Sequence, residues 1–374
     1  MSAPRHRVLM LSKALVVGAY QRKAELIAAE PDIELTVAVP PLWRDGDLVR
    51  RLERVHLEGY RLIETPIARP GDFHLHFYPR FGGVLDAVRP DLVHIDEEPY
   101  NLASFLAMAV ARRRGARTVF FTWQNLNRGY PPPFRWFERA VYRWAGGAIA
   151  GSHTAADVLR AKGYTGRIWV IPQFGVDPAV YRPPDRRAEG PLRVAFAGRL
   201  VPAKGVDLLI EALARLAGVD WTLQVVGEGQ ERARLAALAA ARGIGDRVAF
   251  RAWLPSAEMP AFYRSLDVLV LPSRATPTWI EQFGRVLTEA MACGVACIGS
   301  DCGEIPHVLG DAGLVFPDGD AGALAGALAL LAADAPLRAR LGAAGRSRVL
   351  ACFTMVRVAA ETAAAYREIL RPST

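Results

Sequence analysis

The chain has 374 residues, of which 51% are hydrophobic and 22% charged, and it carries a net charge of +8. That composition excludes a disordered or fibrous chain, and the length exceeds what one core usually covers, so two domains are expected. Most of the excess charge lies in residues 1–180, with roughly 24 Lys and Arg against 18 Asp and Glu. A basic domain suits nucleic acid, an anionic membrane surface or an acidic small ligand. No interleaved aromatic–basic RNA motif and no zinc-finger spacing accompanies it, so nucleic acid is set aside. Cys293, Cys297, Cys302 and Cys352 do not follow CxxC metal spacing. They read as small buried residues of a protein in a reducing cytoplasm. The start lacks a signal peptide's apolar core, and no run reaches the ~18 apolar residues of a membrane span.

Val8-Leu9-Met10-Leu11 reads as a first strand, followed by a small-residue loop over 12–18 and a helix from Ala19. Strands are predicted at 35–39, 62–67, 92–95, 118–121 and 148–150, with an Arg-rich helix over 48–58. Helices between most strands argue for a parallel sheet wound on both faces. Three strand ends carry polar groups: Asp96-Glu97-Glu98, Thr122-Trp123-Gln124-Asn125 and Gly151-Ser152-His153. Ligands of open α/β sheets bind beyond the carboxyl ends of strands, so Glu98, Gln124 and His153 are candidate site residues. The plainer alternatives are a solvated acidic turn at 96–98 and helix caps at Ser152 and Thr154.

Ile171-Pro172-Gln173-Phe174-Gly175-Val176-Asp177 closes the first domain, and 182–185 reads as a linker. A second alternating pattern follows, with strands at 194–197, 223–226, 248–250, 268–271 and 295–298 and helices near 206–217, 230–242, 257–264 and 284–293. Residues 320–350 read as helical, with the Ala-rich stretch 321–334 in a core, and a last helix spans 356–370. The domains are placed at 1–180, joined by the C-terminal helix within 355–374, and at 181–354.

Two stretches of the second domain carry chemistry. Gly198-Arg199-Leu200-Val201-Pro202-Ala203-Lys204-Gly205 follows its first strand. A guanidinium and an ammonium five residues apart, in a loop that opens a helix, suit a diphosphate, though they also read as two solvated loop cations. Trp279-Ile280-Glu281-Gln282-Phe283-Gly284-Arg285-Val286-Leu287-Thr288-Glu289 passes from loop into helix near Gly284. Glu281 and Glu289 would lie roughly 80° apart around that helix, so they hold two parts of an extended ligand better than they share one proton. The N–H groups around Phe283 to Val286 suit an anion. Gly227-Glu228-Gly229 reads as a tight turn first and a ligand contact second. Trp253-Leu254-Pro255 reads as either a packed turn or a base-pocket wall.

These motifs, in this order and spacing, resemble the retaining glycosyltransferases of family 4. Gly198-Arg199 with Lys204-Gly205, Val226-Gly227-Glu228-Gly229, Leu271-Pro272-Ser273, the E-x7-E pair Glu281 and Glu289, and Gly303-Glu304-Ile305-Pro306 all match. The resemblance implies a GT-B fold: two Rossmann-like α/β domains facing across a cleft, with the last helix crossing back to the first domain. It implies that Arg199 and Lys204 hold a nucleotide diphosphate, Glu289 the ribose hydroxyls and Glu281 the donor sugar. Gly18, Gly198, Gly227, Gln282, Phe283, Gly284, Arg285 and Val286 would complete the nucleotide-sugar site. Glu98, Gln124 and His153 would meet the donor sugar or the acceptor.

The implied activity is retaining transfer of a hexose from a UDP- or GDP-sugar to a glycan, lipid-linked or small-molecule acceptor, with neither metal nor cofactor. Catalytic roles fall to Arg199, Lys204 and Glu281. The chain departs from the family pattern at Gln124, in a stretch where many members have His. It departs again at His307, where many have Glu, and in a first loop whose only glycine is Gly18. A nucleotide-sugar epimerase and a non-catalytic nucleotide-sugar-binding module are the alternatives. An oxidoreductase would want GxGxxG after the first strand, which is absent. Residues 134–144 and Arg112-Arg113-Arg114 mix aromatic and basic side chains. They read either as an ordinary amphipathic helix or as a surface for an anionic membrane, which would place the protein at the inner face of the cell membrane.

Overall fold

The computed structural model describes residues 5–46, 48–185 and 190–371. The chain divides into two compact units, Met1–Gly175 with Met355–Thr374, and Val176–Thr354.

In the first unit β1 (His6–Leu11) leads to α1 (Arg22–Ala28), β2 (Ile33–Val39), and a hairpin of β3 (Leu42–Asp45) and β4 (Leu48–Arg51). Then come β5 (Arg61–Glu64), α2 (Phe81–Val88), β6 (Leu92–Ile95), α3 (Leu102–Arg113) and β7 (Arg117–Thr122). α4 (Phe134–Trp144), β8 (Gly147–Ala150), α5 (His153–Ala161) and β9 (Ile168–Val170) follow. The main sheet runs β5-β2-β1-β6-β7-β8-β9 with every pair parallel. Buried on both faces, inner strands such as β6 and β8 read as continuous buried runs rather than alternating patterns. The order reverses between β1 and β6, so the loops after these two strands lead away to opposite faces and leave a crevice at their carboxyl ends.

Residues 48–58 are not the predicted Arg-rich helix. Leu48–Arg51 pairs antiparallel with Leu42–Asp45, and all four of its side chains are exposed. Leu48, Leu52 and Val55 fall at helical spacing, which is why the stretch reads as a helix, but in the hairpin the backbone of 48–51 is paired locally with β3. Residues 52–56 then strap the loop after β1. Glu53 N–H donates to Val16 O at 3.0 Å, and the Gln21 amide bridges Glu53 O at 2.6 Å and Val55 N–H at 3.0 Å.

The second unit contains β10 (Leu192–Ala197), α6 (Val206–Ala214), β11 (Trp221–Val226), α7 (Arg232–Ala241), β12 (Val248–Arg251) and α8 (Met259–Arg264). β13 (Val268–Leu271), α9 (Arg285–Ala292), β14 (Ala296–Ser300), α10 (Ile305–Leu309) and β15 (Leu314–Phe316) follow, then α11 (Ala321–Ala333) and α12 (Ala335–Cys352). Its parallel sheet runs β12-β11-β10-β13-β14-β15, with the reversal between β10 and β13. Asp334 separates α11 from α12, its carboxylate accepting Leu337 N–H at 2.7 Å. Leu324, Leu328 and Leu331 of the Ala-rich α11 are fully buried. Cys293, Cys297 and Cys302 are buried thiols, as expected, but Cys352 is exposed at the end of α12.

The last helix, α13 (Met355–Leu370), belongs to the first unit, as the family resemblance implied, and packs on α1. Val358, Ala363 and Tyr366 are fully buried, each worth about 1–3 kcal/mol of apolar burial. Arg367 fixes the register through Asp32 at 2.7 Å and Glu30 at 2.6 Å.

Candidate nucleotide-sugar site

The switch point of the second unit brings together the loops after β10 and β13. Arg274 N–H donates to Ala203 O at 2.8 Å, and the Arg274 guanidinium pairs with Asp207 on α6 at 2.9 Å. Gly205 lies at φ +63, and a Cβ there would fall 2.0 Å from Pro272 O, so only glycine lets the two loops touch. Gly227 has the same role against the loop after β10: at φ +141, its Cβ would meet Gly198 O at 1.9 Å. Gly198 N–H in turn donates to Val226 O at 3.0 Å. Both expected glycines therefore sit where backbones close in at the carboxyl end of the sheet.

Within this frame Lys204 and Glu281 meet, with Nζ 2.5 Å from Oε2. The Ser273 hydroxyl donates to the same oxygen at 2.7 Å, and Ser273 and Glu281 are both buried. The Lys204 ammonium also lies over the Trp279 ring, 4.9 Å from its centroid. Arg199 extends exposed from the same loop. Gly284 caps α9 in the left-handed conformation, which leaves Arg285 and Val286 as its first residues. Phe283 is half-buried edge-on to Phe353, and Gln282 is exposed.

Glu289 sits one turn further on, 6% exposed. Its Oε2 accepts the Tyr263 hydroxyl at 2.8 Å, and its Oε1 lies 3.0 Å from Arg285 Nε. Burial raises its pKa, and Arg285 and Tyr263 offset only part of that. Eight residues of chain thus place two carboxylates in different surroundings, one clamped by Lys204 and Ser273, the other by Tyr263 and Arg285.

The switch point of the first unit is polar as well. Ser12 Oγ donates to Asp96 at 2.6 Å, and Gln173 Nε2 reaches the same carboxylate at 3.0 Å. Glu97 is buried; loss of solvent pushes its carboxyl up, but Lys13 and His76 outweigh that and hold it down at about 2. Glu98 accepts the Thr122 hydroxyl at 2.6 Å and Trp123 N–H at 2.8 Å, and burial pushes it up to about 7. Residues 96–98 are therefore an internal network and not the solvated acidic turn. Gln124 is buried, donating to Tyr130 at 3.0 Å and accepting from Lys162 at 3.2 Å. His153 is exposed at the start of α5, where the Ser152 hydroxyl accepts Ala155 N–H, so Ser152 is a helix cap.

Gly18 does not extend an open amide. It is buried beneath the 52–56 strap, and its N–H donates to Glu53 Oε2 at 2.6 Å. No local pattern signals this cover, because residues 52–56 read as part of a helix. Tyr263 and Arg274 carry no motif signal, and Ser273 stands in the Leu271-Pro272-Ser273 match without an assigned role. Each acts on a residue more than seven positions away, which no local pattern reports.

Two parallel sheets with Rossmann order, one carrying cations and carboxylates at its switch point, define a doubly wound α/β protein with a polar crevice suited to an anionic ligand. The C-terminal part matches the model of "Glycosyl transferases group 1" over residues 180–348, and the N-terminal part that of "Glycosyltransferase Family 4" over residues 28–180. A GDP-mannose-dependent alpha-(1-6)-phosphatidylinositol monomannoside mannosyltransferase of Mycolicibacterium smegmatis is 31% identical over 335 residues, covering 84% of this chain and 85% of that protein. A D-inositol 3-phosphate glycosyltransferase of Streptomyces bingchenggensis is 34% identical over 246 residues, covering 60% of this chain but only 53% of the relative. A glycosyltransferase structure from Rickettsia africae superimposes with a TM-score of 0.76 at 18% identity, covering 99% and 100% of the two chains. Anabaena Alr3699/HepE in complex with UDP gives 0.72 at 18%, covering 97% and 100%. The chain belongs to glycosyltransferase family 4.

Proposed function

We propose that the protein transfers a hexose from a nucleoside-diphosphate sugar to a hydroxyl acceptor with retention of configuration. The observation that carries this reading is the meeting of Lys204 with Glu281, with Arg199 in the same loop, at the switch point of the second unit. Arg199 and Lys204 bind the diphosphate, and α9 directs N–H groups at it from Phe283 to Val286, with Gln282 and Gly284 completing that turn. Gly198 and Gly227 let the backbone approach. Glu289 accepts both ribose hydroxyls, as one carboxylate can. Glu281 contacts the sugar.

The two carboxylates do not flank a bond as a glycosidase pair does. The acceptor attacks from the face the diphosphate leaves, and the departing phosphate takes its proton. The protein's work is then to stabilise charge growing on the β-phosphate, which Arg199, Lys204 and the α9 N-terminus do without a metal. Glu98, Gln124 and His153 of the first unit bind the acceptor or the sugar. UDP- and GDP-sugars are the donor candidates. GDP-mannose is the first to test, because the Mycolicibacterium smegmatis relative is named for it.

The acceptor is a glycan or lipid-linked, and the protein works in the cytoplasm at an anionic membrane surface. Support comes from α4, whose Arg135, Trp136, Arg139 and Arg143 are exposed while Phe137 stacks on Phe105 of α3. Arg112 and Arg113 at the end of α3 add charge.

Screening UDP-, GDP- and ADP-sugars by thermal shift identifies the donor, because a tight ligand stabilises only the folded state. Product NMR in EDTA then reads the anomeric configuration. An inverted product, or activity only with added metal, overturns the corresponding part of the reading. Free-sugar or epimerised product without acceptor would favour the epimerase.

A further inference from the structure

Trp279 lies in the loop between β13 and α9, and the motif reading assigns it no role. Its backbone is fixed: Thr276 N–H donates to Trp279 O at 2.8 Å, and Trp279 N–H returns to Thr276 O at 3.3 Å. This closes a two-residue turn around Pro277 and Thr278. The loop is tied at its start by Arg274 to Ala203 and Asp207, and by Ala275 N–H to the Asp318 carboxylate at 2.6 Å. A rigid loop therefore holds the half-buried indole face against Lys204 Nζ, 4.9 Å from the ring centroid. The same ammonium contacts Glu281 at 2.5 Å. A lysine head group is a flexible point charge with three donors, and nothing in its own stem fixes where it points. Here a carboxylate takes one donor and an aromatic face takes part of the remaining charge.

We propose that Trp279 is a positioning residue: its ring holds the Lys204 ammonium where it meets the second phosphate of a nucleoside diphosphate. The ring also keeps water off that side of the cation, so the contact to phosphate is made in a less polar setting. The inference rests on the reading of Lys204 as the diphosphate cation. It adds that the indole, through the quadrupole of its face rather than its bulk, sets the strength of that contact.

The test compares affinities for nucleoside mono- and diphosphates, using UMP with UDP and GMP with GDP, in whichever base pair binds. Calorimetry is run on the full chain and on Trp279→Phe, Trp279→Leu, Lys204→Ala and the Trp279→Leu/Lys204→Ala double variant. A melting curve on each confirms folding. The preference for diphosphate over monophosphate should fall about tenfold in Trp279→Leu, the scale of a partly desolvated cation–π contact. Monophosphate affinity should stay unchanged. Trp279→Phe, which keeps an aromatic face, should retain most of the preference. In the Lys204→Ala background, Trp279→Leu should add nothing. A Trp279→Leu protein with full diphosphate preference, beside a Lys204→Ala protein that has lost it, overturns the role of Trp279 and leaves that of Lys204 standing. Full preference in Lys204→Ala overturns both. Equal losses in Trp279→Phe and Trp279→Leu would mean that shape, not the ring's charge distribution, matters, and would also overturn the proposal.

Discussion

Lys204 Nζ and Glu281 Oε2 lie 2.5 Å apart although 77 residues separate them in sequence. The pair joins the two loops that diverge from the switch point, and Ser273 donates to the same carboxylate. A cation and an anion from two loops are therefore set against each other by the fold. Each enters the site already oriented, and little side-chain entropy remains to be lost on binding.

Removing the cation gives the largest effect. Lys204→Ala should lower kcat/KM for transfer at least ~100-fold, the scale for losing one charge contact to a developing anion. It should also leave Glu281 buried without its ionic partner. Steady-state kinetics with the donor found by thermal shift provides the check, and wild-type kcat/KM would remove Lys204 from the mechanism.

The Glu289 side of the site should respond in binding rather than in chemistry. Glu289→Gln is expected to weaken nucleotide affinity while kcat changes little, because ribose contacts are the same in ground and transition states. Tyr263→Phe removes the hydroxyl that orients this carboxylate and should cost about 1 kcal/mol, or roughly fivefold in affinity. Titration calorimetry with free UDP or GDP reads both; wild-type affinity in Glu289→Gln would end the assignment.

The pH dependence of stability should be visible at Glu98. Its carboxyl is raised to about 7 by burial, above its value in the unfolded chain. The folded state then binds more protons than the unfolded state between about pH 4.5 and 7. Stability from this group is complete below that window and is lost as pH rises through it. The change is on the order of 2 kcal/mol, since a half-buried group keeps some solvent. Chemical denaturation at pH 5 and pH 8 should show this loss in the wild type and a smaller one in Glu98→Gln. Parallel pH profiles would contradict it.

Gly205→Ala should destabilise the second unit by about 1–3 kcal/mol through a positive φ and a backbone clash with Pro272 O. Ala at Gly243, where φ is +70 but nothing lies within 4 Å of the added Cβ, should cost less. Urea midpoints of the two variants provide the comparison; equal shifts would mean that the loops separate freely.

Reversing charge at Arg135, Arg139 and Arg143 should abolish sedimentation with vesicles containing anionic lipid and leave nucleotide affinity intact. Each basic residue near such a surface is worth about 1 kcal/mol. Sedimentation unchanged by the substitutions, or absent in the wild type, would remove the membrane from the reading.

Residues 194–197 and 268–271 were legible as strands, and 285–292 as a helix, because buried parallel strands and amphipathic helices write their pattern into contiguous residues. The E-x7-E pair and the Arg199–Lys204 loop were legible for the same reason: each lies within one local element. The hairpin at Leu48–Arg51 was not, because its backbone partners lie on another strand and its side chains bury nothing. The cover over Gly18 and the network at residues 96–98 were equally hidden. Whether an acidic turn is solvated depends on what packs above it, and Lys13 and His76, which hold Glu97, come from elsewhere in the chain. The sequence by itself thus determined the alternation of elements, the two sheets and the charged groups at their strand ends. Only the tertiary structure decided that Lys204 meets Glu281, that Tyr263 holds Glu289 and that Trp279 covers the cation. Those contacts depend on crossover connections that bring distant loops to one end of a sheet, and no local periodicity encodes that distance.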